Sequence, residues 1–99
     1  MPFRIDYSPD AEDHLRALTA RQRAVVVDGV DQQLAHEPHV PTRNRKPMRT
    51  NPLAPWELRM GKLRVYYDIE RAPRRRVVVR AVGVKRGASV RIGGQEIRL

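Results

Sequence analysis

The chain has 99 residues, 40% of them apolar, which is one domain's length and enough apolar surface for a single modest core. It has no cysteine, which excludes disulfides and thiolate metal sites and reads as cytosolic, and no apolar run reaches the roughly 18 residues of a membrane span. Twenty Lys and Arg against eleven Asp and Glu give a net charge of +9, a field that suits a polyanion.

The charge is lopsided. Residues 1–36 carry four basic and six acidic side chains, whereas residues 37–99 carry sixteen basic and five acidic. Seventeen of the twenty cations are Arg, the side chain suited to planar, bidentate recognition of phosphate or carboxylate. A coding bias toward Arg is the lesser explanation of the Arg/Lys ratio, and it leaves the asymmetry unexplained. The opening Met-Pro-Phe-Arg-Ile-Asp-Tyr lacks the apolar stretch of a signal peptide.

Residues 3–7 alternate apolar and polar, the pattern of a half-buried strand. Ser8 then Pro9 supply an N-cap and a first-turn proline. Ala11, Leu15 and Leu18 form one apolar stripe of a helix over about 9–18. Thr19 and Gln22 fit a capping box opening a second helix, with the stripe Val26, Val27, Val30, Leu34 and an end before Pro38. Residues 37–55 hold five prolines and the basic set Arg43, Arg45, Lys46 and Arg49, and read as an irregular crossing segment.

From Trp56 the period changes to two. Trp56, Leu58 and Met60 alternate with Glu57 and Arg59; after Gly61-Lys62, Leu63, Val65, Tyr67 and Ile69 alternate with Arg64, Tyr66 and Asp68. These are two strands joined by a tight turn. Residues 77–82 are nearly all apolar, as in a central strand, and 90–97 fit a small hairpin that sets Arg91 opposite Glu96 and Val90 opposite Ile97. The expected fold is one α+β domain over 1–99: a strand, a two-helix hairpin, then an antiparallel sheet, in the order β-α-α-β-β-β with a C-terminal hairpin.

Strand parity makes this a statement about chemistry. If the apolar set packs under the helices, the opposite face carries Glu57, Arg59, Arg64, Tyr66 and Asp68, with Lys85 and Arg86 where the third strand ends. Guanidinium groups beside an aromatic ring suit RNA, the Arg holding phosphates and Tyr66 stacking on a base. An ordinary solvated face with Arg–Glu and Arg–Asp pairs explains the same residues. His14, His36 and His39 lack ligand spacing, so no metal or other cofactor is expected. Ser8 and Ser89 lack a hydrolase elbow, and the glycines fit neither phosphate-binding pattern.

The run Trp56-Glu57-Leu58-Arg59-Met60-Gly61-Lys62-Leu63-Arg64-Val65-Tyr66-Tyr67-Asp68-Ile69 resembles the central strand pair of the RelE/ParE toxin superfamily. Residues 5–11 are similar to that family's first strand and helix start, and 81–86 to its last core strand. The resemblance implies the toxin of a type II toxin–antitoxin pair, which either cleaves mRNA on the ribosome or poisons DNA gyrase. In the ribonuclease branch it implies that Arg64 and Arg86 clamp the scissile phosphate with Arg59 and Lys85 in support. Arg43, Arg45, Lys46, Arg49 and Tyr66 would bind substrate. Glu57 stands where some ribonucleases of the family carry Lys, and no Tyr or His follows Arg86 to serve as acid or base. Glu57 remains as a candidate base, with Lys85 or Tyr66 as acid; its alternative is a plain ion-pair partner of Arg59 or Arg64. The implied partners are an acidic antitoxin, the ribosome with mRNA, and operator DNA only through the antitoxin complex. A non-enzymatic gyrase inhibitor and a basic binding module without activity are the rival readings, and no membrane contact is expected.

Overall fold

The computed structural model describes residues 2–99. Strand β1 (Arg4–Tyr7) leads into helix α1 (Pro9–Arg16), whose cap is Ser8: its Oγ accepts from Ala11 N at 3.1 Å while Pro9 fills the first helical position. Helix α2 (Ala20–Leu34) starts in a complete capping box, with Gln22 N donating to Thr19 Oγ1 at 3.1 Å and Thr19 N donating to Gln22 Oε1 at 3.0 Å. Arg23 reaches back to donate to the carbonyls of Leu15 and Leu18, which ties the start of α2 to the end of α1.

Strands β2 (Arg45–Pro47), β3 (Trp56–Met60), β4 (Leu63–Glu70), β5 (Arg76–Arg86), β6 (Ser89–Ile92) and β7 (Gln95–Ile97) follow, paired antiparallel in the order β2-β3-β4-β5-β6-β7. Strand β1 joins the same sheet parallel to the first part of β5, from Arg4 opposite Arg76 to Tyr7 opposite Val79. Two strands therefore share one edge of β5: β1 takes Arg76–Val79 and β6 takes Val84–Arg86. The backbone between them is satisfied from α1 and its cap. Ser8 N donates to Val79 O, Ser8 Oγ donates to Arg80 O, and Val82 N donates to His14 Nδ1.

The helices cover one sheet face, where Val26, Val30 and Leu34 meet Leu58, Val65, Tyr67, Val77, Val79 and Val82, all buried. Tyr67 stacks on Trp56 and its hydroxyl donates to Pro38 O at 2.8 Å, pinning the start of the crossing segment to the core. Gly29, a weak residue for a helix interior, has a packing reason: a Cβ there would run into Met60 Sδ.

The other face departs from the expected open surface. A second, smaller core of Ala54, Tyr66, Ala81, Val90 and Ile92 covers its middle, with Met48, Leu53 and Ile97 packed against it. Its lid is the segment expected to be irregular. Residues 45–47 form a strand against β3, and the Asn51 side chain ties the turn that follows, accepting from Leu53 N at 2.8 Å and donating to Ala54 O at 2.9 Å. The C-terminal hairpin forms in the expected register, Val90 opposite Ile97 and Arg91 opposite Glu96. Among the described residues no helix is long and apolar enough to cross a membrane.

Candidate functional site

What the second core leaves uncovered is a hollow of about 580 Å³ at the turn end of β3 and β4. Its floor comes from the strands: Glu57 and Arg59 on β3, Arg64 on β4, Lys85 on β5 and Val90 on β6. One wall is Lys46 with residues 47–51, and Ala88 and Leu99 stand at the opposite rim. The volume lies in the range of small-ligand sites.

The ladder explains why these side chains meet. Lys46 is opposite Glu57, Glu57 opposite Tyr66, Arg59 opposite Arg64, Arg64 opposite Gly83, and Lys85 opposite Val90. Directly paired residues share a face, so one row of alternate positions crosses the curled sheet. Gly83 keeps that row open: a Cβ there would lie 2.5 Å from Arg91 O and 2.8 Å from a Val90 methyl, so only glycine lets β6 lie this close to β5.

Five cations (Lys46, Arg49, Arg59, Arg64, Lys85) face one carboxylate. Glu57 is 7% exposed and accepts from Arg59 Nε at 2.7 Å. Arg64 donates to the carbonyls of Gly61 and Leu63, at 2.6 and 3.0 Å, which holds its guanidinium at the turn without neutralising it. Such a set can grip a phosphate and stabilise charge that builds on it.

Four expected site residues stand elsewhere or differently. Tyr66 shares the face but is fully buried, and its hydroxyl has no hydrogen-bond partner, so its ring is not available for stacking. Burial, reinforced by the Glu57 charge, pushes the Tyr66 hydroxyl pKa above the ordinary tyrosine value, which disfavours a role as proton donor. Arg86 does not line the hollow. It is one residue beyond Lys85 in an alternating strand, which sends it to the opposite face, and it is exposed there. Arg45, opposite Leu58, also points to the helix side, where it donates to Val40 O and Gln33 O and ties the crossing segment to the end of α2. Arg43 is exposed and outside the hollow. Arg59, Arg64, Glu57, Lys85, Lys46 and Arg49 are brought together.

Sequence reasoning missed Thr50 and Leu99 on the rim, and nothing local in the sequence marks them. It also missed Arg80, the residue left over where the β4–β5 register shifts between Tyr66 and Tyr67; its side chain leads away into a neighbouring hollow of about 350 Å³ with Asp68.

A search of solved structures places the domain. A chain of the toxin–antitoxin complex RelBE2 from Mycobacterium tuberculosis superposes with a TM-score of 0.73 and 27% identity, over 86% of this chain and 93% of that one. This chain has the fold of a RelE-type toxin. No family model matches it, and no curated protein sequence does either. In this RelE-like domain the described residues bring no histidine and no exposed tyrosine into the hollow, so its ionisable side chains are the cation set and Glu57.

Proposed function

We propose that the protein is the toxin of a type II toxin–antitoxin pair and a ribosome-dependent mRNA endoribonuclease, acting in the cytoplasm through the hollow between β3, β4 and β5. The observation that carries this is the row Glu57–Arg59–Arg64–Lys85: a carboxylate and three cations on one strip of sheet beside the basic wall of Lys46 and Arg49.

In this reading Arg59, Arg64 and Lys85 hold the scissile phosphate. The 2′-oxygen attacks phosphorus in line, Glu57 takes its proton, and the bond to the 5′-oxygen breaks as Lys85 delivers a proton to it. The products are a 2′,3′-cyclic phosphate and a 5′-hydroxyl. The guanidinium groups stabilise the extra negative charge of the pentacoordinate phosphorus, a task for fixed cations in a partly dry site. Arg is too weak an acid to move the protons itself, which leaves Glu57 and Lys85 for those steps. An acidic antitoxin segment that folds on binding would neutralise the same surface.

The test is primer extension on mRNA after brief expression. Cuts within translated regions that vanish when translation is blocked support the reading; intact mRNA overturns it. The lack of histidine or exposed tyrosine in the hollow favours one alternative, a non-enzymatic gyrase inhibitor, in which case plasmid supercoiling changes while mRNA stays whole.

A further inference from the structure

We propose that the tip of the β4–β5 hairpin is a second contact for a nucleic-acid phosphate backbone, separate from the hollow. The proposal does not require the hollow to be catalytic. The tip lies at the other end of β4, seven residues or about 23 Å of strand from Leu63.

Charge accounting at the tip leaves a surplus. Its two carboxylates are both taken: Asp6 by Arg4 and Arg76, each at 3.1 Å, and Glu70 by Arg76 at 2.8 Å. Among the described residues, Arg71, Arg74 and Arg75 have no ion-pair or hydrogen-bond partner on their side chains, and all three are exposed. The loop that carries them is tied down at its C-terminal side. The Arg75 guanidinium rests one face on the Phe3 ring, 4.5 Å from its centroid, while the residue stays exposed, and Arg76 clamps the base of the loop between β1 and β4.

The occupant follows from what is missing. An acidic protein partner needs apolar anchors that bury in a pocket. The concavity at the tip is lined by Arg4, Asp6, Glu70, Arg74 and Arg76, with Pro73 as its one apolar residue. A phosphate backbone needs no such anchor, since neutralised phosphates and released counterions supply the affinity. Two basic sites at the two ends of β4 would let one extended strand, or two parts of a large folded RNA, be held at once.

The experiment measures binding of a 2′-O-methyl oligouridylate of about 20 nucleotides, and of duplex DNA, as salt is varied. Three chains are compared: the wild type, a variant with Arg71→Ala, Arg74→Ala and Arg75→Ala, and one with the same positions changed to Lys. The Ala variant is expected to lose about 2 from the slope of log K against log salt on single strands, at about 0.7 per phosphate contact. The Lys variant should keep the slope. Oligonucleotides too short to reach both ends should bind wild type twice and the Ala variant once. The strand that suffers the larger loss identifies RNA or DNA as the ligand.

An unchanged slope in the Ala variant, with an unchanged melting temperature, overturns the proposal. So does an equal loss in the Lys variant, or loss of polyglutamate binding while nucleic-acid binding is kept, which assigns the tip to an acidic protein. Arg64→Ala in the hollow is scored separately by growth arrest, so failure of one site leaves the other standing.

Discussion

Arg59 and Arg64 stand directly opposite one another across the β3–β4 ladder, two like charges where a sheet gains most from opposite ones. Glu57 answers Arg59, and Arg64 has only backbone carbonyls. Arg64→Gln should therefore be close to neutral for stability, within about 0.5 kcal/mol, because it removes both a repulsion and its compensating hydrogen bonds. Binding of a phosphate-bearing ligand should fall by roughly ten- to a hundredfold, the worth of a charge-assisted hydrogen bond. Urea unfolding and RNA binding on one preparation test this; a large loss of stability would make Arg64 a structural residue.

Tyr67→Phe should cost about 1–3 kcal/mol, because it deletes the bond to Pro38 O and leaves a buried carbonyl unpaired. That bond spans 29 positions of sequence and anchors the crossing segment whose far end forms the wall of the hollow. The loss should appear in urea midpoints and as faster amide exchange over residues 38–47. Unchanged exchange there would mean the segment is held by Arg45 and Asn51 instead.

The sequence revealed what is local. Ser8 and Thr19 announce their caps, the period-2 runs fix β3 and β4, and the Gly93-Gly94 turn sets Arg91 against Glu96. The crossing segment was hidden because its order comes from distant partners: Arg45 bonds to Gln33 O, and Tyr67 bonds to Pro38 O. Tyr66 looked exposed for the same reason, since strand parity names a face without saying what covers it, and Leu53 and Ile92 cover it. The placement of Lys85 over Arg86 was legible. Val82 and Val84 share the helix-facing parity of β5, so 83 and 85 face the hollow and 86 does not.

Acid should weaken the fold in two stages. His14 accepts from Val82 N, and burial holds its pKa below the ordinary 6.5 against the opposing pull of Asp10 and Asp13. The native state thus binds a proton less readily than the unfolded chain, so stability is full above about 6.5 and is lost as pH falls through the depressed value. His14→Asn should flatten this first stage. Asp6 and Glu70, lowered from 3.8 and 4.5 chiefly by hydrogen bonds from Arg76, contribute stability above those values that disappears as pH falls through the folded ones. Melting temperatures across the range from neutral to acid check both stages, and a first stage that survives in His14→Asn would exclude the histidine.

Gly83→Ala tests whether the hollow depends on the close approach of β6 to β5. The added methyl meets Arg91 O, the Ile92 side chain and a Val90 methyl, all inside 3 Å, and one of these contacts is backbone that cannot turn aside. Overpacking of this kind costs about 1–3 kcal/mol. The strain should fall on the C-terminal hairpin, since β3 lies on the far side of β4 and α2 covers the opposite sheet face. Val90 and Ile92 belong to the core over Tyr66, so lifting β6 should also admit water to the Tyr66 hydroxyl and move the Val90 edge of the hollow. The expected signature is a lower melting temperature, faster exchange confined to residues 84–97, and weaker RNA binding with every cation still in place. Loss of stability without any change in RNA binding would show that the hairpin merely borders the site.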